Sequence, residues 1–328
     1  MVTEILEERT GLQRVLVGDE RAYVLTGQIG TVAVGDEVVM NTTAVDLDLG
    51  TGGWHVVHWN LSRREWSAPG PGHIMKLRYT SLQADTGAAE EHVDPGTDLG
   101  GVPVVACTLH SQVPVVAATF LDRRPDARVV YVMTDGAALP LALTDLVVRL
   151  RETGVIQAVV TAGHAFGGDR EAVSMPSALA LAATLERADL IIVAMGPGVV
   201  GTDSALGTTA VEAAWVLDTA SALGGRPICC VRASGADPRP RHRGASHHVE
   251  TVLALTRSRV EVATVADAPI PSDRHDIAVL DPGDVPGVLA ARGLRVTSMG
   301  RGPEDDPLFY AAAGAAGALA ASPARGRS

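Results

Sequence analysis

Leu190-Ile-Ile-Val-Ala-Met195, followed at once by Gly196-Pro-Gly-Val-Val-Gly-Thr-Asp203, is the stretch that decides the fold. An unbroken apolar run has no alternation, so a strand here is buried on both faces, as in a parallel sheet covered by helices. Four further runs of this kind stand at Val102–Cys107, Val129–Met133, Ile156–Thr161 and Pro227–Val231. Each ends in a loop bearing Gly, Asp or His, and most of these loops lead into a helical pattern. Pro140 and Gly154 punctuate a helix over 141–153, and Thr209-Ala-Val-Glu212 has the spacing of a capping box opening a helix that runs to Gly224-Gly225. Strands alternating with helices predict a doubly wound, mostly parallel, Rossmann-like αβα sandwich over residues 101–300.

Upstream the rhythm differs. Val15–Val17, Ala22–Leu25, Thr31–Val34, Glu37–Met40 and Trp54–Val57 are short strand-like runs cut by Gly18-Asp19, Gly27, Gly30, Gly35-Asp36 and Gly50 to Gly53. They predict a small N-terminal β-barrel over residues 1–84. Its aromatics, Tyr23, Trp54, Trp59, Trp66 and Tyr79, either pack the barrel core or offer stacking faces. Residues 85–100 lack periodicity and read as a linker. The Ala/Gly-rich stretch 301–328 reads as a marginal helix fraying into a partly disordered tail.

At 328 residues the chain has room for about two domains of roughly 150 residues. With 46% hydrophobic and 20% charged residues it is neither collagen-like nor wholly disordered. A net charge of −11 disfavours a nucleic-acid partner unless basic residues are segregated. Cys107, Cys229 and Cys230 form neither metal-spaced pairs nor an even disulfide set, which suits a reducing compartment. The start of the chain lacks a basic segment followed by an apolar one, and no run of about 18 apolar residues occurs. A cytoplasmic location without membrane partners is the expectation. A homo-oligomer is left open.

In an open parallel sheet, ligands bind beyond the carboxyl ends of the strands. The residues just after each run are therefore the candidates. They are His110 and Ser111, then Asp135, then His164 and Asp169, then Gly196, Gly198, Gly201 and Thr202, and last the segment Asp237-Pro-Arg-Pro-Arg-His-Arg-Gly244. The glycine-rich segment either cradles an anion on backbone N–H groups or makes a tight turn. It carries no Gly-Lys-[Ser/Thr], and no acid follows at the distance a dinucleotide site requires. His164 and Asp169 either form a proton-transfer pair across Phe166-Gly-Gly or serve loop structure.

Prolines 238 and 240 predict an extended segment from which Arg239, Arg241 and Arg243, with His242, either clamp an anion or lie solvated. His247 and His248 follow at a helix start capped by Ser246, where the dipole favours neutral imidazole, suited to accepting a proton or ligating a metal. No zinc-spaced motif occurs, so cofactor and metal stay unknown, with His248, His164 and Asp169 as the ligands if a metal is bound. Ser111 and Cys107 are candidate nucleophiles, though neither sits in a nucleophile-elbow sequence. Lys76 is the single lysine among 27 basic residues: either it stands where a compact ammonium serves and a guanidinium does not, or it survives by chance in a chain biased toward arginine. The alternation from Met75 to Thr80 predicts a strand with Lys76 and Arg78 on one face; with His73 it either adds charge to the pocket or faces solvent.

Five blocks in order resemble the DUF3866 family of bacterial proteins of unknown function. They are Gly72–Thr80, Tyr131–Pro140, Gly163–Val173, Ala194–Thr202 and Asp237–His248. The resemblance implies no activity. The family pattern continues the glycine-rich loop as Gly-Thr-Gly-Thr and then Phe-Ser-Gly before a Glu, whereas this chain has Gly201-Thr-Asp203-Ser and Thr208-Thr-Ala-Val-Glu212. Asp203 thus stands where an anion would sit.

The expectation is an enzyme acting on a small anionic molecule, phosphorylated ones included, by hydrolysis or group transfer. His164, Asp169, His247, His110 and Asp135 are the catalytic candidates. The alternative is a non-enzymatic module binding RNA or a protein through the N-terminal barrel and the arginine loop.

Overall fold

The computed structural model describes residues 1–50, 52–70 and 72–324. The chain opens with β1 (Val2–Arg9), β2 (Leu12–Val17), β3 (Glu20–Val24), a one-turn helix α1 (Thr26–Ile29), β4 (Val38–Asn41), a second one-turn helix α2 (Thr43–Asp46) and β5 (His55–Asn60). These strands form a mixed sheet in the order β1-β2-β3-β5-β4, parallel only between β3 and β5. Strand pairing closes no barrel among the described residues. The backbone of Val2, at one edge, does bond to Gly35 and Asp36 beside the other. Inward-facing Val15, Val17, Ala22, Val24 and Val57 form a core separate from the main one.

Thr31–Val34, expected as a strand, is irregular. Its place in a ladder is taken by a side chain: buried Gln13 accepts from the Val32 N–H at 2.8 Å and donates to the Val32 carbonyl at 3.2 Å. A buried amide thereby satisfies both backbone groups that a neighbouring strand would otherwise have to meet.

Next come β6 (Met75–Lys76) and β7 (Ala84–Asp85), a short antiparallel pair. The predicted strand from Met75 to Thr80 ends at Lys76, because Leu77 and Tyr79 adopt φ of 51° and 61°. Lys76 turns inward, whereas Arg78 is exposed.

The main body comprises β8 (Pro103–Ala106), α3 (Val113–Arg123), β9 (Val129–Thr134), α4 (Asp145–Glu152), β10 (Ala158–Ala162), β11 (Arg170–Ala172), α5 (Met175–Thr184), β12 (Leu190–Met195), α6 (Glu212–Ala222) and β13 (Arg226–Cys230). It continues through the short pair β14 (Ala233–Ser234) and β15 (Gly244–Ala245), then α7 (His247–Leu255), β16 (Glu261–Thr264), β17 (Asp276–Val279), α8 (Val285–Ala291) and α9 (Pro307–Ala321). All five apolar runs become strands of one parallel eight-stranded sheet, ordered β11-β10-β9-β12-β8-β13-β16-β17. Helices α3, α8 and α9 contact one another, α6 contacts both α5 and α7, and both sets pack on the sheet. That cover is why strands such as Leu190–Met195 are buried along their whole length.

Local chemistry moves several helix boundaries. Residues 141–143 form a separate 3-10 turn, and the following helix starts at Asp145, where the Thr144 hydroxyl accepts from the Val147 N–H at 3.2 Å. The expected capping box at Thr209 is not made. Thr208 caps a short turn instead, and Glu212 points away to accept from the Thr134 hydroxyl.

The 301–328 segment departs most from a partly disordered tail. Pro307–Ala321 is a helix, nearly all of it buried, that packs along α3; residues 325–328 lie outside the described residues. Its composition is the reason. A Cβ on Gly317 would run into the Val116 carbonyl and the Phe120 amide, so small residues let the two helices approach closely.

The N-terminal sheet docks on the start of α4. Arg9 and Arg14 both reach Asp145, at 2.5 and 2.7 Å, and Arg9 also donates to the Ala142 carbonyl at 2.6 Å. No helix among the described residues is long and apolar enough to cross a membrane.

Candidate functional site

Parallel strands end on one edge, and in this sheet β12, β8 and β13 lie side by side in its middle. The chain leaves β8 toward α3 and leaves β12 and β13 toward α6 and α7, helices of the other set. Loops that part to opposite faces open a crevice between neighbouring strands. There lies a cavity of about 360 Å³ lined by His110 and Ser111 after β8, Gly198, Gly201 and Thr202 after β12, and Arg232, Arg239, Arg241, His242 and His248 after β13. Thr297, Ser298 and Met299 complete the wall. No carboxylate is among the described residues that line it, in a chain of net charge −11.

The arginine segment is held as a closed loop. Its base is the β14–β15 pair, and Ser234 and Gly235 donate to Asp306, just before α9, at 2.5 and 2.9 Å. The loop is not extended as predicted: Pro240–His242 makes one 3-10 turn, which proline permits at its first position. The three arginines consequently part company. Arg239 binds buried Asp237 through two bonds of 2.9 and 2.8 Å, which hold that carboxyl well below the usual carboxylate range. Arg241 pairs with exposed Asp203 at 2.5 Å. Arg243 is exposed, donates to the Asp237 carbonyl and does not line the cavity.

Arg232 was absent from the sequence expectations. It is 6% exposed, and its nearest carboxylate, Asp237, stands 3.7 Å away and is already engaged by Arg239. Burial and the neighbouring arginines push its pKa down to about 10, so it stays charged at neutral pH. The sequence signal was available, since Arg232 directly follows the apolar run Pro227–Val231.

Three imidazoles adjoin the arginines. Ser246 caps α7, accepting from the His248 N–H at 3.3 Å, and its hydroxyl lies 2.8 Å from His242 Nδ1. The rings of His242, His247 and His248 have centroids 4.4–5.1 Å apart. Burial, reinforced by the facing arginines, pushes His242 down to about 3 and His248 to about 4, and lowers His247 as well. All three are neutral at pH 7. The Nε2 atoms of His247 and His248 are buried without a hydrogen-bond partner among the described residues.

His110 reaches the cavity from the other side, with Nδ1 3.1 Å from the Tyr131 hydroxyl and Nε2 2.8 Å from the Thr144 hydroxyl; burial pushes it down to about 4. Ser111 donates to Ser298 at 3.1 Å, and Cys107 is buried. The glycine-rich loop closes partly on itself: the Thr202 N–H donates to the Gly207 carbonyl and the Val200 N–H to the Thr209 hydroxyl. Gly196 is buried behind the cavity, where a Cβ would meet the Ala138 carbonyl.

The remaining candidates lie elsewhere. Strand β10 is three places from β8, roughly 14 Å at about 4.8 Å per strand, so the loop after it does not reach the cavity. His164 and Asp169 share no hydrogen bond. His164 Nδ1 accepts from the Leu77 N–H at 3.1 Å, while Asp169 accepts from the Val159 N–H and from Arg151, at 2.8 and 2.6 Å. Asp135 accepts from the His164 N–H at 2.9 Å and stands near Glu212, whose half-buried carboxyl is raised to about 7 by desolvation and by that charge.

Lys76 is 2% exposed and donates to Glu171 at 2.7 Å and to the carbonyls of Thr161 and Ala165 at 3.2 and 2.5 Å. All three of its donors are thus used inside the fold, and none remains for a ligand. His73 is exposed and does not line the cavity. In the N-terminal sheet, Tyr23 and Trp54 stack on each other at 4.8 Å with Arg14 and Arg21 beside the rings.

A family model described as "Protein of unknown function (DUF3866)" matches residues 21–317, beyond both ends of the five motif blocks. No curated protein and no solved structure matches the chain.

Proposed function

The chain belongs to the DUF3866 family, whose description carries no activity, and from that premise we propose that the cavity binds a small oxyanion, with the protein acting on it by hydrolysis or group transfer. The observation that carries this reading is Arg232. A buried cation without a close free carboxylate is costly to hold, and an anion in the cavity would relieve that cost. Arg239 and Arg241 line the same wall, and planar guanidinium groups suit phosphate and carboxylate oxygens. Phosphate esters are the substrate class to try first, because their charge matches a wall lined by three arginines.

Calorimetric titration of the full-length protein with inorganic phosphate tests the binding step. The unmodified chain is expected to bind, and Arg239→Ala combined with Arg241→Ala to weaken binding about tenfold or more, since a charge-assisted hydrogen bond contributes about 1.5–3 kcal/mol. Release of phosphate from a panel of mono- and diesters tests the reaction. A folded protein that neither binds phosphate nor turns over any ester of the panel would overturn the proposal.

A further inference from the structure

We propose that His242, His247 and His248 hold a divalent transition-metal ion of zinc's class, with its open coordination position facing the arginine-lined cavity. One nitrogen from each ring can be chosen so that all three lie within 4.8 Å of one another. Tetrahedral zinc, with bonds of about 2.0–2.1 Å, sets its nitrogens about 3.3 Å apart, which small side-chain rotations would reach. The residue types suit such an ion, as imidazole is a ligand for zinc and its neighbours whereas calcium and magnesium take oxygens.

The second observation is independent of the spacing. His248 is 4% exposed, and its Nε2, like that of His247, is buried with no hydrogen-bond partner. Buried polar atoms ordinarily have partners, and two orphans within one histidine cluster point to an absent ligand. Outer contacts orient the rings as they do in metal sites: the Ser246 hydroxyl holds His242 at Nδ1, leaving Nε2 to ligate.

The facing arginines oppose a cation, but two of the three are already paired: Arg239 with Asp237 and Arg241 with Asp203. Arg232 Nη1 lies 3.4 Å from His248 Nδ1. Ligation through Nε2 moves the ring proton to Nδ1 and turns that guanidinium toward Asp237. The inference shares the cavity with the anion reading and does not depend on it.

Full-length protein, stripped with a chelator and titrated with zinc chloride against a chromophoric competitor, should take up one ion per chain. His247→Ala, at a half-buried position, should lower that affinity at least tenfold while unfolding as cooperatively as the parent. Cobalt(II) gives a second readout, a visible band of tetrahedral type in the parent chain that is lost in His247→Ala. No saturable uptake of either ion by the folded parent, or uptake unchanged in both His247→Ala and His242→Ala, would overturn the inference. Phosphate binding without zinc binding would sink the metal site and leave the anion reading intact. Zinc binding retained in Arg239→Ala/Arg241→Ala, with phosphate binding lost, would separate the two sites.

Discussion

Asp203 shows how one residue can set the strength of a site. Its side chain is 87% exposed yet reaches Arg241 at 2.5 Å, so a carboxylate occupies a cation that an anionic ligand would use. An exposed pair of this kind contributes little to stability, about 0–1 kcal/mol. On the proposed reading it would compete directly with a bound oxyanion. Asp203→Gly should therefore tighten phosphate binding several-fold and leave thermal stability unchanged, as calorimetry and a melting curve on the same sample would establish.

At this scale the sequence was legible where chemistry is scarce. The lone lysine stood out, and its burial with three bonded donors explains why arginine, with its planar fork, would not fit there. It did not disclose whether that lysine faces a ligand or the protein's own carbonyls, because partners 85 or more residues away decide it.

Elements were recognised by periodicity, and misread where small residues carried the packing. All five Val- and Ile-rich runs became parallel strands, buried on both faces. The Ala/Gly-rich stretch read as a marginal helix fraying into disorder, and it forms α9, a helix buried against α3. Glycine in a helix costs about 1 kcal/mol relative to alanine. At Gly317 that cost is outweighed, because any Cβ would meet the α3 backbone. Gly317→Val should destabilise the protein by about 1–3 kcal/mol through overpacking, measurable by denaturant titration; a neutral result would mean that the two helices can separate at no cost. The arginine loop failed for a related reason. Two prolines argued for an extended segment, but the bonds from Ser234 and Gly235 to Asp306 favour a compact turn, and Asp306 comes from the segment read as a tail.

For the whole molecule, the link between its two sheets passes through Asp145, which accepts from Arg9 and Arg14. Burial tends to raise this carboxyl, but the two guanidinium groups outweigh it and the pKa is lowered. The group therefore contributes stability that is present above the unfolded carboxylate pKa, near 4, and is lost as pH falls through the lower folded value. Asp145→Asn should cost on the order of 1 kcal/mol at pH 7 after solvent screening, and progressively less as pH falls below about 4. Chemical denaturation of both proteins at the two pH values tests this, and a cost independent of pH would rule out the ion pair as its source.

The sequence by itself determined the parallel sheet, the polar loops at its carboxyl edge and the histidine pair at a capped helix start, because each follows from patterns within a few neighbouring residues. Only the tertiary structure decided which loops meet. The order in which strands pair is set by packing among distant segments, and it brought the ends of β8, β12 and β13 together while leaving His164 and Asp169 outside the cavity. It also turned Arg232 into a buried charge beside three neutral histidines. The place of Arg232 directly after an apolar run marked it as a residue of the loop edge, but its burial comes from the packing of distant segments and not from residue type.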